Sequence, residues 1–432
     1  MDQLAFSGSY FLNSSSQGAC QVVLFEDSLR IKPQTGEALF YSLRDVLDFT
    51  AQNYKVELSL GPKEKLTLSD LGYHFEDFLR NLSRLRNEQL LKDMLMNEKV
   101  ELSGVPAVFN GGGVELRVYQ TALVILPEKA ELLRIPLGDI QEIKVREYQV
   151  FIKTEEGRDL IFSQMGKWLD PFEKALREAI MELSLRTQAW LKEIIPQAEP
   201  GLIRELADRL KEGRAVKKSE IQKISADFWA SLEKRIRSGK TKDTYDYLMS
   251  LSDKSDIFLG IKRGLAGGQD YLWFFIPVPK KNALAMETFV WGEGMEQGEE
   301  GSGQATYFFR LVSRKDFRGA EGVGGAIAEL IPRLNRALLM INFRREPIYL
   351  PDDKLEDPQY QKYKFSIAKI PGLKELRSAF IGRVIHAELE QWKKDVIELL
   401  DFNVKAKNDA ERWIKEEAPC QDINSPAGTA AS

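Results

Sequence analysis

The sequence predicts an α+β protein: one sheet-and-helix unit used twice, a helical linker, then a separate domain of sheet and helices. Three observations carry this. Residues recur at a fixed offset of 94 positions through the front of the chain. Each copy passes from period-two alternation into a helical stripe. After Ile257 strand signals return in a pattern that does not follow the repeat.

The repeat holds position by position. Leu29 falls on Leu123, Ile31 on Ile125, Pro33 on Pro127, Glu37 on Glu131, Leu39 on Leu133, Leu43 on Leu137 and Asp45 on Asp139. Further along, Tyr54 falls on Tyr148, Val56 on Val150, Leu66 on Leu160, Ser69 on Ser163, Gly72 on Gly166, Phe78 on Phe172 and Leu82 on Leu176. One register kept through apolar, turn and charged positions implies one structural unit used twice. Upstream, Ser7-Gly8 is expected to match Ser103-Gly104 across a two-residue gap.

Within a copy, strands come first. Val114 to Tyr119 and Gln149 to Lys153 alternate apolar with polar, so one face meets a core and the other meets water. Leu123-Val124-Ile125-Leu126 reads as buried on both faces. Asn110 to Gly113 and Glu155-Glu156-Gly157 supply turns. A helix closes each copy: Phe75, Phe78, Leu79, Leu82 and Leu85 in the first, Phe172, Leu176, Ala179, Ile180, Leu183 and Thr187 in the second. Asp170-Pro171 suits the start of the second helix.

Strands closed by one amphipathic helix, in ninety-odd residues and twice over, resemble the pleckstrin-homology-like superfold with its GRAM-like and bacterial variants. The resemblance spans roughly the first 190 residues. It implies β-barrel or sheet modules at 1–98 and 99–195 that bind proteins, peptides or lipid headgroups and perform no chemistry. Members that grip phosphoinositides carry cations in the first hairpin loop. Here those loops are Ser14-Ser15-Ser16-Gln17 and Gly111-Gly112-Gly113, and neither holds one.

Residues 196–250 read as a helical linker with apolar stripes at Leu202, Leu206 and Leu210, then Ile221, Ile224, Phe228 and Leu232. From Gly201 to Lys242 there are 12 Lys or Arg against 6 Asp or Glu, which marks either a solvated helical pair connecting two halves of the protein or a basic face for acidic partners or nucleic acid. In 251–418 four strands are expected: Ile257 to Ile261, Tyr271 to Val278, Leu284 to Val290 and Ala305 to Val312. The acidic, glycine-rich stretch from Gly292 to Gly303 is expected to be a mobile loop. A helix from Gly325 to Met340, an extended piece from Lys362 to Ile370, one long helix from Leu373 to Leu399 and a short one from Asp409 to Glu417 follow. Residues 419–432 are expected to be a disordered tail.

Composition narrows function. With 432 residues the chain exceeds a single core, and 43% apolar with 29% charged content describes a soluble globular protein. No run approaches the ~20 apolar residues of a membrane span. Met1-Asp2-Gln3 opens no secretory signal, and two distant cysteines form no disulfide framework, so a bacterial, cytoplasmic protein is expected. A net charge of −4 argues against a nucleic-acid partner.

Candidate chemistry is sparse. Gly319 to Ala326, with Gly322, Gly324 and Gly325, could cradle phosphate beside Arg314, Lys315 and Arg318, although no Walker or dinucleotide spacing is present. Trp291 is the aromatic expected to be exposed for ligand contact. His74 falls where Trp168 stands in the other copy, which suits packing. His386 near Glu388 and Glu390 makes no metalloprotease signature. No catalytic set, metal site or cofactor is expected. The reading is a non-enzymatic binding or scaffold protein with a protein partner. The alternatives are a peripheral anionic-lipid binder at the inner membrane face, or phosphate or nucleotide binding in the C-terminal domain.

Overall fold

A computed structural model describes residues 4–13, 16–60, 64–93, 98–155, 157–211, 213–252, 257–263, 270–292, 296–297, 305–386 and 388–415. It is a mixed α+β fold with several antiparallel sheets. The first copy holds β1 (Leu4–Leu12), β2 (Ser16–Leu24), β3 (Ser28–Pro33), β4 (Leu39–Ser42), β5 (Asp48–Gln52), β6 (Lys55–Ser59), β7 (Lys65–Ser69) and α1 (Phe75–Asp93). Their order in the sheet is β4-β3-β2-β1-β7-β6-β5. The second copy holds β8 (Val100–Phe109), β9 (Gly112–Tyr119), β10 (Ala122–Pro127), β11 (Leu133–Pro136), β12 (Ile140–Arg146), β13 (Gln149–Thr154), β14 (Asp159–Phe162) and α2 (Leu169–Ile194). Its two sheets, β11-β10-β9-β8 and β12-β13-β14, are joined where Val108 and Ser163 exchange backbone hydrogen bonds of 2.8 and 3.1 Å. That reproduces the first copy's strand order.

The pairing register repeats as well. Leu29 opposes Tyr41 and Leu123 opposes Ile135; Val56 opposes Leu68 and Val150 opposes Phe162; Ala51 opposes Val56 and Val145 opposes Val150. Every partner moves by the same 94 positions. The tight turn before the sixth strand of each copy is left-handed at both central residues, with φ 53° and 57° at Asn53-Tyr54 and 50° and 60° at Glu147-Tyr148. A one-residue slip would turn every core side chain outward, so the shared register reflects a shared buried face. That face is Val22, Leu29, Ile31, Val56, Leu66 and Phe78 in the first copy. In the second it is Leu116, Leu123, Ile125, Val150, Leu160 and Phe172.

The upstream match needs correcting. Gly8 opposes Cys20, and Cys20 corresponds to Val114, which opposes Ala107. Gly8 therefore corresponds to Ala107, not to Gly104. The hairpin tip of the second copy closes at Phe109 and Gly112, against Leu12 and Ser16 in the first, and this shorter tip carries the offset away from two.

The remainder holds α3 (Pro200–Arg209), β15 (Val216–Lys217), α4 (Lys218–Ile224), α5 (Ala226–Ser238), α6 (Lys242–Ser250), β16 (Phe258–Arg263), β17 (Asp270–Val278), β18 (Ala283–Trp291), β19 (Glu296–Gln297) and β20 (Ala305–Arg310). It continues with α7 (Gly324–Met340), α8 (Glu346–Tyr349), α9 (Gln361–Lys369), α10 (Pro371–Ala379), β21 (Phe380–Ile385) and α11 (Leu389–Lys405). The sheet order is β15-β16-β17-β18-β20-β21, with β19 beside β18. One face of this sheet, with Phe274, Ala285 and Phe308, packs against Phe228, Leu232, Leu248 and Val396 of the helices. The other, with Trp273, Phe275, Met286 and Phe309, packs against Ile327, Leu334 and Leu376. Residues 196–250, read as a linker, thus share the core of this sheet, and β15 forms its edge.

Three expectations fail here. The piece from Lys362 is helical, because Tyr363, Ser366 and Ile370 bury at helical steps. The expected long helix is two helices separated by β21, which completes the sheet beside β20. Gly382 of β21 accommodates that fit, since a Cβ there would stand 2.8 Å from the Trp413 carbonyl. Asp409 onward forms a turn and an extended tail as far as residue 415, anchored when Trp413 N–H donates to Ile381 O at 2.9 Å. Most of the acidic glycine loop and all of residues 419–432 lie outside the described residues.

The copies are bolted to this sheet. The first half of α2 closes its own copy, while Trp190, Leu191 and Ile194 enter the core of the third sheet. On β10, Val124 and Leu126 join Leu90 and Leu91 of α1 against the sheet's other face. At the junction between copies, Arg86 of α1 is 1% exposed and donates to the Val46 and Leu47 carbonyls at 3.0 and 2.9 Å. Asn87 beside it donates to Ala130 O at 2.9 Å and accepts from Leu132 N–H at 3.0 Å.

Candidate functional site

The glycine-rich turn and its arginines do not come together as expected. The Arg314 guanidinium donates to the carbonyls of Asn403 and Asn408, and its backbone N–H donates to Asp409 at 3.0 Å. Arg318 donates to the carbonyls of Lys315 and Phe317, and Lys315 is exposed. Side chains at Gly322, Gly324 or Gly325 would meet nothing within 4 Å, so no close approach requires glycine there. Trp291, expected on the surface, is only 7% exposed. Its indole N–H donates to Glu193 at 2.9 Å, the Arg235 guanidinium lies 4.0 Å from its ring centre, and Trp190 meets it edge-on at 5.3 Å. It belongs to the seam between α2, α5 and the sheet.

The sequence reading missed a buried polar cluster. Glu287 on β18 is 1% exposed. Thr306 on β20 donates to it at 2.5 Å, and the Thr288 backbone N–H donates at 3.1 Å. His386, just after β21, brings Nε2 to 3.2 Å from both the carboxylate and the Thr306 hydroxyl. Trp392 of α11 donates to the same hydroxyl at 3.2 Å. A carboxylate, hydroxyl and imidazole in contact can in principle activate a nucleophile. Here Thr306 has no exposed surface, so no substrate reaches its oxygen. The cluster ties two strands and a helix together and satisfies a buried charge.

Two concavities lie where the second copy meets α7. One, of about 380 Å³, runs between β11 and α7 and is lined by Arg134, Arg158, Arg333 and Arg336 among others. A second, of about 310 Å³, lies on the other side of Arg336 and takes in Gly324, Arg209, Arg214 and Lys217. Gly324 thus shares a cavity lining with cations other than those expected. Arg134 is buried and donates to Leu339 O at 2.8 Å. Burial holds its pKa below the ordinary arginine value, with Glu98 and Asp139 opposing. Among the described residues no group of three or more His, Cys, Asp or Glu could hold a metal ion, and no helix is long and apolar enough to cross a membrane.

No protein-family model and no curated protein matches the chain. Among solved structures, the Spt16D–Pob3N heterodimer matches over 36% of this chain and 84% of that one, at 12% identity and a TM-score of 0.18. A likeness that slight carries no argument about this chain.

Proposed function

We propose that this protein is a non-enzymatic binding or scaffold protein whose two front copies are tandem pleckstrin-homology-like modules, with another protein as partner. The observation that supports it most is the strand register held at 94 positions through both copies, with a helix closing each. A rigid scaffold of this kind presents its hairpin tips and loops. Tyr54 and Tyr148 stand at equivalent tips, 76% and 88% exposed, in a backbone conformation unfavourable for a large side chain. Such rigid amphipathic rings serve well as interface anchors. The burial of Thr306 and Glu287 supports the non-enzymatic part of the reading.

The test is affinity capture from the native host with the full chain and with a Tyr54→Ala, Tyr148→Ala variant, alongside sedimentation with anionic and neutral vesicles. A stoichiometric protein partner lost by the variant supports the reading. Vesicle binding without a protein partner would favour peripheral membrane attachment instead. Capture of nothing by either form overturns the proposal.

A further inference from the structure

We propose that the cleft between β11 and α7 binds a phosphate-bearing small molecule through Arg134, Arg158, Arg333 and Arg336. These four guanidiniums line one cavity of about 380 Å³, a size that suits a small ligand. Three carboxylates share the lining: Glu131, Asp139 and Glu375. Glu131 pairs with Arg86 at 3.3 Å, Glu375 pairs with Arg333 at 3.3 Å, and Asp139 acts on Arg134. Four guanidiniums and three carboxylates line the cleft, an excess of one positive charge. Arginine's planar fork of donors matches phosphate oxygens, and a partly enclosed cleft strengthens each contact. Ala337, Met340 and Ile370 supply apolar wall for an organic portion.

The duplication provides an internal control. The first-copy positions matching Arg134 and Arg158 are Phe40 and Glu64. The copies share strand order and register, so the fold does not demand arginine at these places. The two cations appear only in the copy that faces α7, where Arg333 and Arg336 complete the set. This site is distinct from the glycine-rich turn and does not depend on the scaffold reading.

Titration calorimetry of the full chain with pyrophosphate and with glycerol 3-phosphate tests the proposal. So does sedimentation with vesicles containing phosphatidic acid or phosphatidylcholine alone. Arg158→Glu restores the first-copy charge, and Arg333→Gln changes an exposed side chain; both are checked for an unchanged melting temperature without ligand. At least tenfold weaker binding in both variants, with Arg314→Gln binding like the wild type, is expected. Soluble phosphates that bind this way identify a free ligand, and binding confined to phosphatidic acid vesicles identifies a headgroup. Absence of saturable binding in every arm overturns the proposal. So does binding that survives both Arg158→Glu and Arg333→Gln.

Discussion

Thr306 is a small residue with a large share of the third sheet's polar accounting. Its hydroxyl links Glu287, His386 and Trp392 in a volume closed to water. Thr306→Val keeps the shape and removes that link, leaving a buried carboxylate and an indole N–H short of a partner. Thermal or urea unfolding should show a loss of about 1–3 kcal/mol, which Thr306→Ser largely restores. Cys20 allows a pH prediction. Burial pushes its thiol from an ordinary value of 9.0 up to about 11. The folded state therefore holds that proton more tightly than the unfolded chain. The associated stability is fully present below pH 9.0 and is lost as pH rises through about 11. Cys20 should accordingly resist iodoacetamide at pH 8 and become reactive once the chain is unfolded, as mass spectrometry would show. None of the Glu287 cluster was legible in the sequence: Glu287 and His386 are 99 positions apart, and only strand order brings them together. A lone glutamate inside the apolar run from Leu284 to Val290 was the one available signal.

At the scale of elements, comparison of the copies explains what the sequence could and could not tell. β3 alternates, with Leu29 and Ile31 inward and Arg30 and Lys32 toward solvent; β10 carries Val124 and Leu126 at the two matching outward positions. That continuous apolar run was legible as double-sided burial, and the third sheet is what covers it. The helix at α9 and the strand at β21 were misread because their surroundings decided them. Phe380 to Ile385 can extend a helical stripe in isolation, and the vacant edge of β20 selects the strand. Two predictions belong here. Trp190→Ala, in the half of α2 that leaves its own copy, should destabilise the chain by about 3–5 kcal/mol. Hydrogen exchange should rise in β16 to β18 more than in β8 to β14. Tyr148→Gly relieves a left-handed backbone and should raise stability by about 0.5 kcal/mol, read as a higher melting temperature. In Tyr54→Gly the lost ring contact with Phe75, 5.4 Å between centres, should cancel that gain.

For the whole molecule, three units, the two copies and the third sheet with its helices, are joined by side chains rather than by linkers. Arg86 and Asn87 join the copies, and α2 with β10 joins the second copy to the third sheet. A fragment of residues 196–418 lacks Trp190, Leu191, Ile194 and Ile195, four buried members of its own core. It should give broad, noncooperative unfolding by circular dichroism, whereas a fragment of 99–418 should unfold cooperatively. The repeat and the strands of the third sheet were readable because periodicity is local. The cleft was not, because Arg134 and Arg333 reach it from elements far apart in sequence. The shared helix also sets an order of events at the ribosome. The front copies can close as soon as they emerge, but the last turns of α2 find their seat only after synthesis has passed residue 310. In that interval the nascent chain displays a greasy helical end, so interrupted translation would leave a truncated product suited to capture by chaperones and proteases.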